Sequence, residues 1–171
     1  RKDAQHIAVS ATYEHLNNEQ QVVATFQANY LVSSNGSIKV KNRFERQGDL
    51  PVVPRIGLNI ELAGDLENIS WFGRGPFENY ADRNTSAFVG AYRSTVTEQY
   101  VPYIRPQENG YKTNVRWAAF SDENKNGLLV VAKNPFQGLG ISALHMPNED
   151  FDTTEGLIYG NTQDIEPEFR I

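Results

Sequence analysis

Two stretches of this 171-residue chain concentrate the side chains able to do chemistry. The first is Trp71-Phe72-Gly73-Arg74-Gly75-Pro76-Phe77-Glu78-Asn79-Tyr80-Ala81-Asp82-Arg83, and the second is Tyr100-Val101-Pro102-Tyr103-Ile104-Arg105-Pro106-Gln107-Glu108-Asn109-Gly110. Together they supply flat rings, amides, carboxylates and guanidinium groups. Sugar recognition needs that mixture: rings lie against the C–H face of a pyranose, and planar polar groups meet its hydroxyls. Glu78 with Glu108, or Asp82 with Glu108, also offers paired carboxylates for glycoside hydrolysis. Such a pair stands about 5–5.5 Å apart for retention and roughly 6.5–9.5 Å apart for inversion. With 21 Asp and Glu in the chain, a pair alone is an unspecific signal. The same residues also suit a structural role. Arg74, Glu78, Asp82 and Arg83 can form an ion-pair network that pins a long loop, because polar groups near a core must be satisfied whether or not they bind anything.

Other chemistries find little support. His6 and His15 lie at opposite parity on one strand-like segment, and His145 has no second ligand at metal spacing, so no metal site is expected. Gly73-Arg74-Gly75 is followed at once by Pro76 and lacks a Gly-Lys-Ser/Thr sequel, which excludes a phosphate loop. No Gly-x-Ser-x-Gly elbow is present, and no cofactor motif is found. Formal charge is 16 − 21 = −5 with both signs scattered, so no basic stripe exists for nucleic acid. The longest apolar run, residues 128–132, is far short of the roughly 20 residues that span a bilayer. Cysteine is absent, which fits the cytoplasm and does not exclude the periplasm. The chain opens on Arg1 and ends on Ile171 without a visible signal peptide, and reads as one domain excised from something longer.

The elements that must position the two polar stretches alternate with period two. Over residues 22–32 the inward set is Val22, Ala24, Phe26, Ala28, Tyr30 and Val32; over 38–44 it is Ile38, Val40 and Phe44, with Lys39, Lys41 and Arg43 outward. Ile56, Leu58, Ile60 and Leu62 repeat the pattern. Strands with one buried and one wet face follow. Between the first two runs, Asn35-Gly36 supplies the positive φ angles of a tight hairpin turn. Further strands are expected over 6–16, 66–72, 94–103, 111–120, 128–133 and 140–145, with turns at 17–18 and 122–127. Residues 73–87 break the alternation and read as a long ordered loop. Residues 147–155 and 164–168 are acidic and turn-rich. Helix should be minor, and the expected architecture is an antiparallel all-β sandwich or barrel.

With the elements in place, the two polar stretches become specific. The first is similar to the W-x-G-x-G-P-x-E-N-Y-x-D-R signature of the C-terminal domain of glycoside hydrolase family 2 β-galactosidases. The second, from Tyr103 to Gly110, is similar to that domain's Y-x-x-P-x-E-N-G segment, in the same order. The resemblance runs from about residue 7 to 145. It implies a large antiparallel β-sandwich of the galactose-mutarotase-like type (a supersandwich). It also implies a parent enzyme that hydrolyses terminal β-galactosides with retention, through two glutamates on a separate TIM-barrel domain. Neither glutamate's motif occurs here, so no catalytic residue is carried over. The family's Gly-Gly-Asp-Asp-Ser-Trp-like rim segment has no counterpart around Trp71 or Trp117.

The expectation is therefore a non-catalytic domain, inactive alone, that shapes the active-site cleft of a bacterial β-galactosidase and its domain or subunit interfaces. Its partners would be the TIM-barrel domain and, in a homo-oligomer, a neighbouring subunit. The candidates for facing carbohydrate or a neighbouring domain are Arg74, Glu78, Asn79, Tyr80, Asp82, Arg83, Tyr103, Gln107, Glu108 and Asn109. The competing reading is an independent carbohydrate-binding or mutarotase-like sugar-epimerising domain. That reading needs a concave pocket with a general base beside aromatic rings.

Overall fold

The alternating segments near the start of the chain fold as a meander. The structure, a computed structural model, describes residues 5–47, 53, 55–103, 108–147 and 150. Strand β1 (His6–Leu16) pairs antiparallel with β2 (Val22–Ser33), which pairs antiparallel with β3 (Ile38–Arg46). The register sets Ile7, Val9 and Tyr13 opposite Val32, Tyr30 and Phe26, and those opposite Ile38, Val40 and Phe44. One face of this sheet is thus apolar, while Lys39, Lys41 and Arg43 stand on the other. It lies in the first of two compact units, residues 1–58 and 59–171. Its centre is shut by Ala24 and Ala28, while Tyr13 and Ile38 stay more than half exposed.

Three hairpins close with one turn geometry. In residues 17–21, 33–37 and 122–126 the first N–H donates to the fifth carbonyl, and the fourth N–H donates to the first carbonyl. The fourth residue is left-handed each time: Gln20 (φ 62°), Gly36 (85°) and Lys125 (66°). Asn17 and Asp122 fix the first position with side-chain oxygens that accept later backbone N–H groups. The hairpin expected at Asn35-Gly36 is present, but its turn is corrected: of the pair only Gly36 takes a positive φ, so the loop is longer than a two-residue turn with both residues inverted.

The second unit carries a four-stranded antiparallel sheet in the order β5-β4-β7-β8. These are β4 (Asn68–Gly75), β5 (Phe88–Thr95), β7 (Trp117–Ser121) and β8 (Gly127–Val131). A smaller pair joins β6 (Lys112–Val115) to β9 (Leu139–Ile141). A 3₁₀ turn (Thr97–Gln99) follows β5. The core is Ile69, Trp71, Val96, Val115, Ala118, Phe120 and Ala143. On β4 the odd residues point inward, and two of them are glycines for a steric reason. A Cβ on Gly73 would stand 2.7 Å from the Cα of Val115, and one on Gly75 would stand 2.8 Å from the Tyr92 ring. The Gly-x-Gly of the first polar stretch therefore lets β6 and Tyr92 press onto β4.

The antiparallel all-β class expected from the sequence is the class found, with helix limited, among the described residues, to that one 3₁₀ turn. Several elements differ from expectation. Residues 55–60 form no strand despite their alternation, and Ile56, Leu58 and Ile60 are exposed; Gly57 and Asn59 are poor strand formers, and alternation alone makes no ladder. The strand expected over 94–103 lies earlier, at β5, because the chain turns at Val96. The strand expected over 111–120 is broken into β6 and β7 at Arg116. Apart from Pro147 and Asp150, the stretches 147–155 and 164–168 lie outside the described residues.

Left-handed Gln20 and Lys125 carry a Cβ penalty that glycine escapes. Gln20→Gly and Lys125→Gly should each raise stability by about 0.5–1 kcal/mol, read as a higher urea midpoint at unchanged m-value. A lower midpoint in both would contradict the turn assignment.

Candidate functional site

The two polar stretches meet over the Gly75 end of β4, and one carboxylate joins them. Glu78 Oε1 accepts from Arg83 Nη2 at 2.8 Å and, in a very short contact, from the Tyr103 hydroxyl. Its Oε2 accepts from the Gly110 N–H at 2.9 Å and from the Tyr80 hydroxyl at 3.2 Å. The single Tyr80 hydroxyl proton is shared between that oxygen and the Glu108 carbonyl, which lies closer, at 2.9 Å. Glu78's side chain is 7 % exposed, whereas Arg83's is 54 % exposed, so the ion pair sits at a water boundary and its charge term is partly screened. The hydrogen bonds carry more of the binding than the charge pair does.

Around this carboxylate the aromatic residues act as plates. Tyr80 stacks on Tyr111 with centroids 5.5 Å apart at 19°, and the Arg83 guanidinium lies 4.5 Å over the Tyr80 ring. Burial, with the neighbouring Glu78 charge second, pushes the Tyr80 hydroxyl above the usual phenol range. Tyr80 and Arg83 also close a four-residue turn through backbone bonds, which leaves Asp82 exposed at its tip.

The amides of both stretches serve the backbone. Asn79 is fully buried; its Oδ1 accepts from the Thr113 N–H (3.0 Å) and hydroxyl (2.5 Å), and its Nδ2 donates to the Phe77 carbonyl at 3.1 Å. Its own N–H donates to the Tyr111 carbonyl at 2.8 Å. Asn109, also buried, accepts from the Val101 N–H at 2.8 Å and donates back to the Val101 carbonyl at 2.5 Å. Each amide thus replaces a missing ladder partner where the loop cannot pair. Arg74 works likewise: Nη1 donates to the carbonyls of Asn84 (2.9 Å) and Ala87 (2.7 Å), tying the end of β4 to the far end of its loop.

Of the ten residues expected from the sequence, Glu78, Tyr80, Arg83 and Tyr103 converge on one point. Asn79, Asn109 and Arg74 hold the surrounding backbone. Asp82 stands apart and exposed. Glu108 contributes its carbonyl while its side chain is exposed, and Gln107 lies outside the described residues.

Sequence reasoning missed Lys112. Its Nζ donates to Gln99 Oε1 at 2.7 Å and to the Gly110 carbonyl at 3.0 Å, 5.4 Å from the Trp71 ring centroid. Gln99 in turn donates to the Ser94 hydroxyl and the Thr95 carbonyl. The Gly110 peptide therefore gives its N–H to Glu78 and its carbonyl to Lys112. Gly110 is left-handed (φ 67°), and a Cβ there would lie 2.9 Å from the Gln99 carbonyl oxygen, so only glycine fits. Beside Lys112 lies a cavity of about 10 Å³, lined mainly by Trp71, Gln99, Val115, Ala118 and Ile141, the room of about one water. Burial pulls the Lys112 ammonium down from 10.5 to about 8, and the Glu78 charge partly offsets that pull. Alternation read from Tyr111 points Lys112 outward with Asn114. A bulge at Asn114 (φ 53°), where the β6–β9 register shifts, instead lets Lys112 and Val115, of opposite parity, line one cavity.

Fold and site together define an antiparallel all-β domain whose polar loops are locked by their own side chains. The family described as "Beta galactosidase small chain" matches residues 1–169. The chain is 31% identical over 148 residues to "Beta-galactosidase" of Streptococcus thermophilus, covering 85% of this chain and 14% of that protein. It is 33% identical over 128 residues to "Beta-galactosidase" of Halalkalibacterium halodurans, covering 73% and 12%. It is 35% identical over 108 residues to "Beta-galactosidase" of Priestia megaterium, covering 63% and 10%. The chain belongs to the β-galactosidase small chain family, and it spans only 10% to 14% of the length of these curated relatives.

Two outcomes test the site. Glu78→Gln places an NH₂ among four donors and should cost about 2–3 kcal/mol in urea unfolding, while Asp82→Asn stays within about 0.5 kcal/mol; equal effects would contradict the assignment. For Lys112, the unfolded chain binds more protons between pH 8 and 10.5, so stability rises with pH there. Relative to Lys112→Met, the wild type should gain about 2 kcal/mol from pH 7 to pH 10, and a flat difference would contradict burial of the ammonium.

Proposed function

We propose that this chain is a non-catalytic component of a β-galactosidase, one that presents its two locked loops as a fixed surface and so shapes the active-site cleft of the parent enzyme. The observation that carries this reading is the saturation of Glu78. A general acid or nucleophile needs a lone pair or proton free to face substrate. Both oxygens of Glu78 are committed to donors inside the chain, and Asn79, Asn109 and Arg74 are committed to backbone. Hydrolysis of terminal β-D-galactosides would then belong to carboxylates elsewhere in the parent, on a TIM-barrel domain against which these loops dock.

Exposed apolar surface supports a working context with more protein around it. Ile7, Val9, Tyr13, Ile38 and Val40 stand exposed on the first unit, and Val89, Leu129 and Val131 on the second. Patches of that kind mark contact surfaces, either between domains or between subunits of a homo-oligomer. Names of the relatives agree with the reading, since each is called a β-galactosidase and each is far longer than this chain.

The purified chain should leave a chromogenic β-galactoside unhydrolysed, and calorimetry with millimolar galactose should show no heat of binding. Turnover by the chain alone would overturn the proposal. Measurable galactose binding would favour an independent sugar-binding domain instead.

A further inference from the structure

Asn-Gly dipeptides are the sequences at which asparagine most readily turns into aspartate, because glycine's missing Cβ leaves its nitrogen free to approach the neighbouring carboxamide. The chain has three: Asn35-Gly36, Asn109-Gly110 and Asn126-Gly127. On sequence alone they are equivalent. The structure separates them.

Asn109 is held on both side-chain atoms, with Oδ1 taking the Val101 N–H and Nδ2 giving to the Val101 carbonyl. The attacking nitrogen, that of Gly110, is itself bound to Glu78 Oε2 at 2.9 Å. Asn126 is exposed, but its Nδ2 donates to Asp122 Oδ2 at 3.1 Å and its N–H to Asp122 Oδ1 at 2.8 Å. The Gly127 backbone after it is pinned in the β7–β8 ladder, where a Cβ would stand 1.9 Å from the Phe120 carbonyl oxygen. Asn35 sits exposed at a hairpin tip, and the place of a Cβ on Gly36 has nothing within 4 Å. Asn35 Oδ1 accepts from the Ser37 N–H at 3.0 Å and from the Ser37 hydroxyl at 2.8 Å. The attacking nitrogen is restrained by the bond from the Gly36 N–H to the Ser33 carbonyl at 3.0 Å, and all of these bonds lie at the exposed tip and not in a buried network.

We propose that Asn35 is, among the three Asn-Gly pairs, the site of spontaneous covalent modification, and that the Glu78 clamp shields Asn109 from the same reaction. The Gly36 nitrogen gives up its proton to water or hydroxide and bonds to the Asn35 side-chain carbonyl carbon. The carboxamide C–N bond breaks, and ammonia leaves. Water then opens the five-membered imide at either carbonyl, to aspartate or to isoaspartate. One water is consumed, one ammonia is released, and nothing is oxidised or reduced. The product adds one negative charge at the β2–β3 turn, and its isoaspartate form lengthens the backbone there by one carbon.

The test is incubation of the chain at mildly alkaline pH, natively and in concentrated urea, with peptide mass spectrometry locating the added mass at each asparagine. In urea the three pairs should react at similar rates. In the native chain Asn35 should keep close to its urea rate, Asn109 should slow by at least about tenfold, as opening of buried hydrogen bonds requires, and Asn126 should fall between. Asn35→Ser should remove the earliest acidic species seen on native ion exchange. Protection of Asn35 equal to that of Asn109, native rates equal to urea rates at all three, or persistence of the early acidic species in Asn35→Ser would each overturn the proposal.

Discussion

A carboxylate cannot sit nearly buried unless donors surround it, and that constraint organises the second unit of this protein. Glu78 gathers its four donors from Tyr80, Arg83, Tyr103 and Gly110, which belong to two loops far apart in sequence. Leaving such a group short of partners costs several kcal/mol, so the loops have one low-energy arrangement and not many. Everything near them follows from holding that arrangement. Gly110 must be glycine to reach Glu78 beneath Gln99, Asn79 must bridge to Thr113, and Tyr111 must lie flat under Tyr80.

The Gly110 peptide extends the constraint into the core. Through it, the carboxylate on one side is linked to a buried ammonium on the other, and from Lys112 the bonds run through Gln99 to the end of β5. Two opposite charges flank a single amide plane, and the Glu78 carboxylate is close enough to moderate the cost of burying the Lys112 ammonium. A polar network of this kind is stable when complete and costly when any member is lost. It gives the loops a fixed shape, which is what a docking surface needs and what a flexible catalytic lid would lack.

Much of this was legible in the sequence. Period-two alternation gave β1, β2 and β3 within a residue or two, because one face of that sheet is mostly apolar, with His15, Asn42 and Arg46 as its polar members. Glu78, Tyr80, Arg83 and Tyr103 were marked by their density of polar and aromatic groups. What escaped reading has a physical cause in each case. Lys112 was hidden by the bulge at Asn114, which brings Lys112 and Val115, of opposite parity, to one cavity and breaks the parity rule. Residues 55–60 alternate correctly but form no strand, and hydrophobic period cannot show whether a ladder exists. The Asn35-Gly36 turn was placed correctly and shaped wrongly, since the same dipeptide fits two loop lengths. Whether Glu78 would be catalytic or structural was undecidable from sequence, because that depends on how many donors the folded chain brings to it.

The relation to β-galactosidases thus rests on the family match, and the proposed division of labour within such an enzyme rests on Glu78. Hydrogen exchange at the Gly110 N–H reads that carboxylate directly, since the bond to Oε2 must break before the proton can leave. If the clamp holds as described, this amide exchanges only when the whole second unit unfolds, with the same free energy as the core amides of β4 and β7. Exchange at the rate of an open loop, while those strands stay protected, would show that Glu78 is free to act on something else.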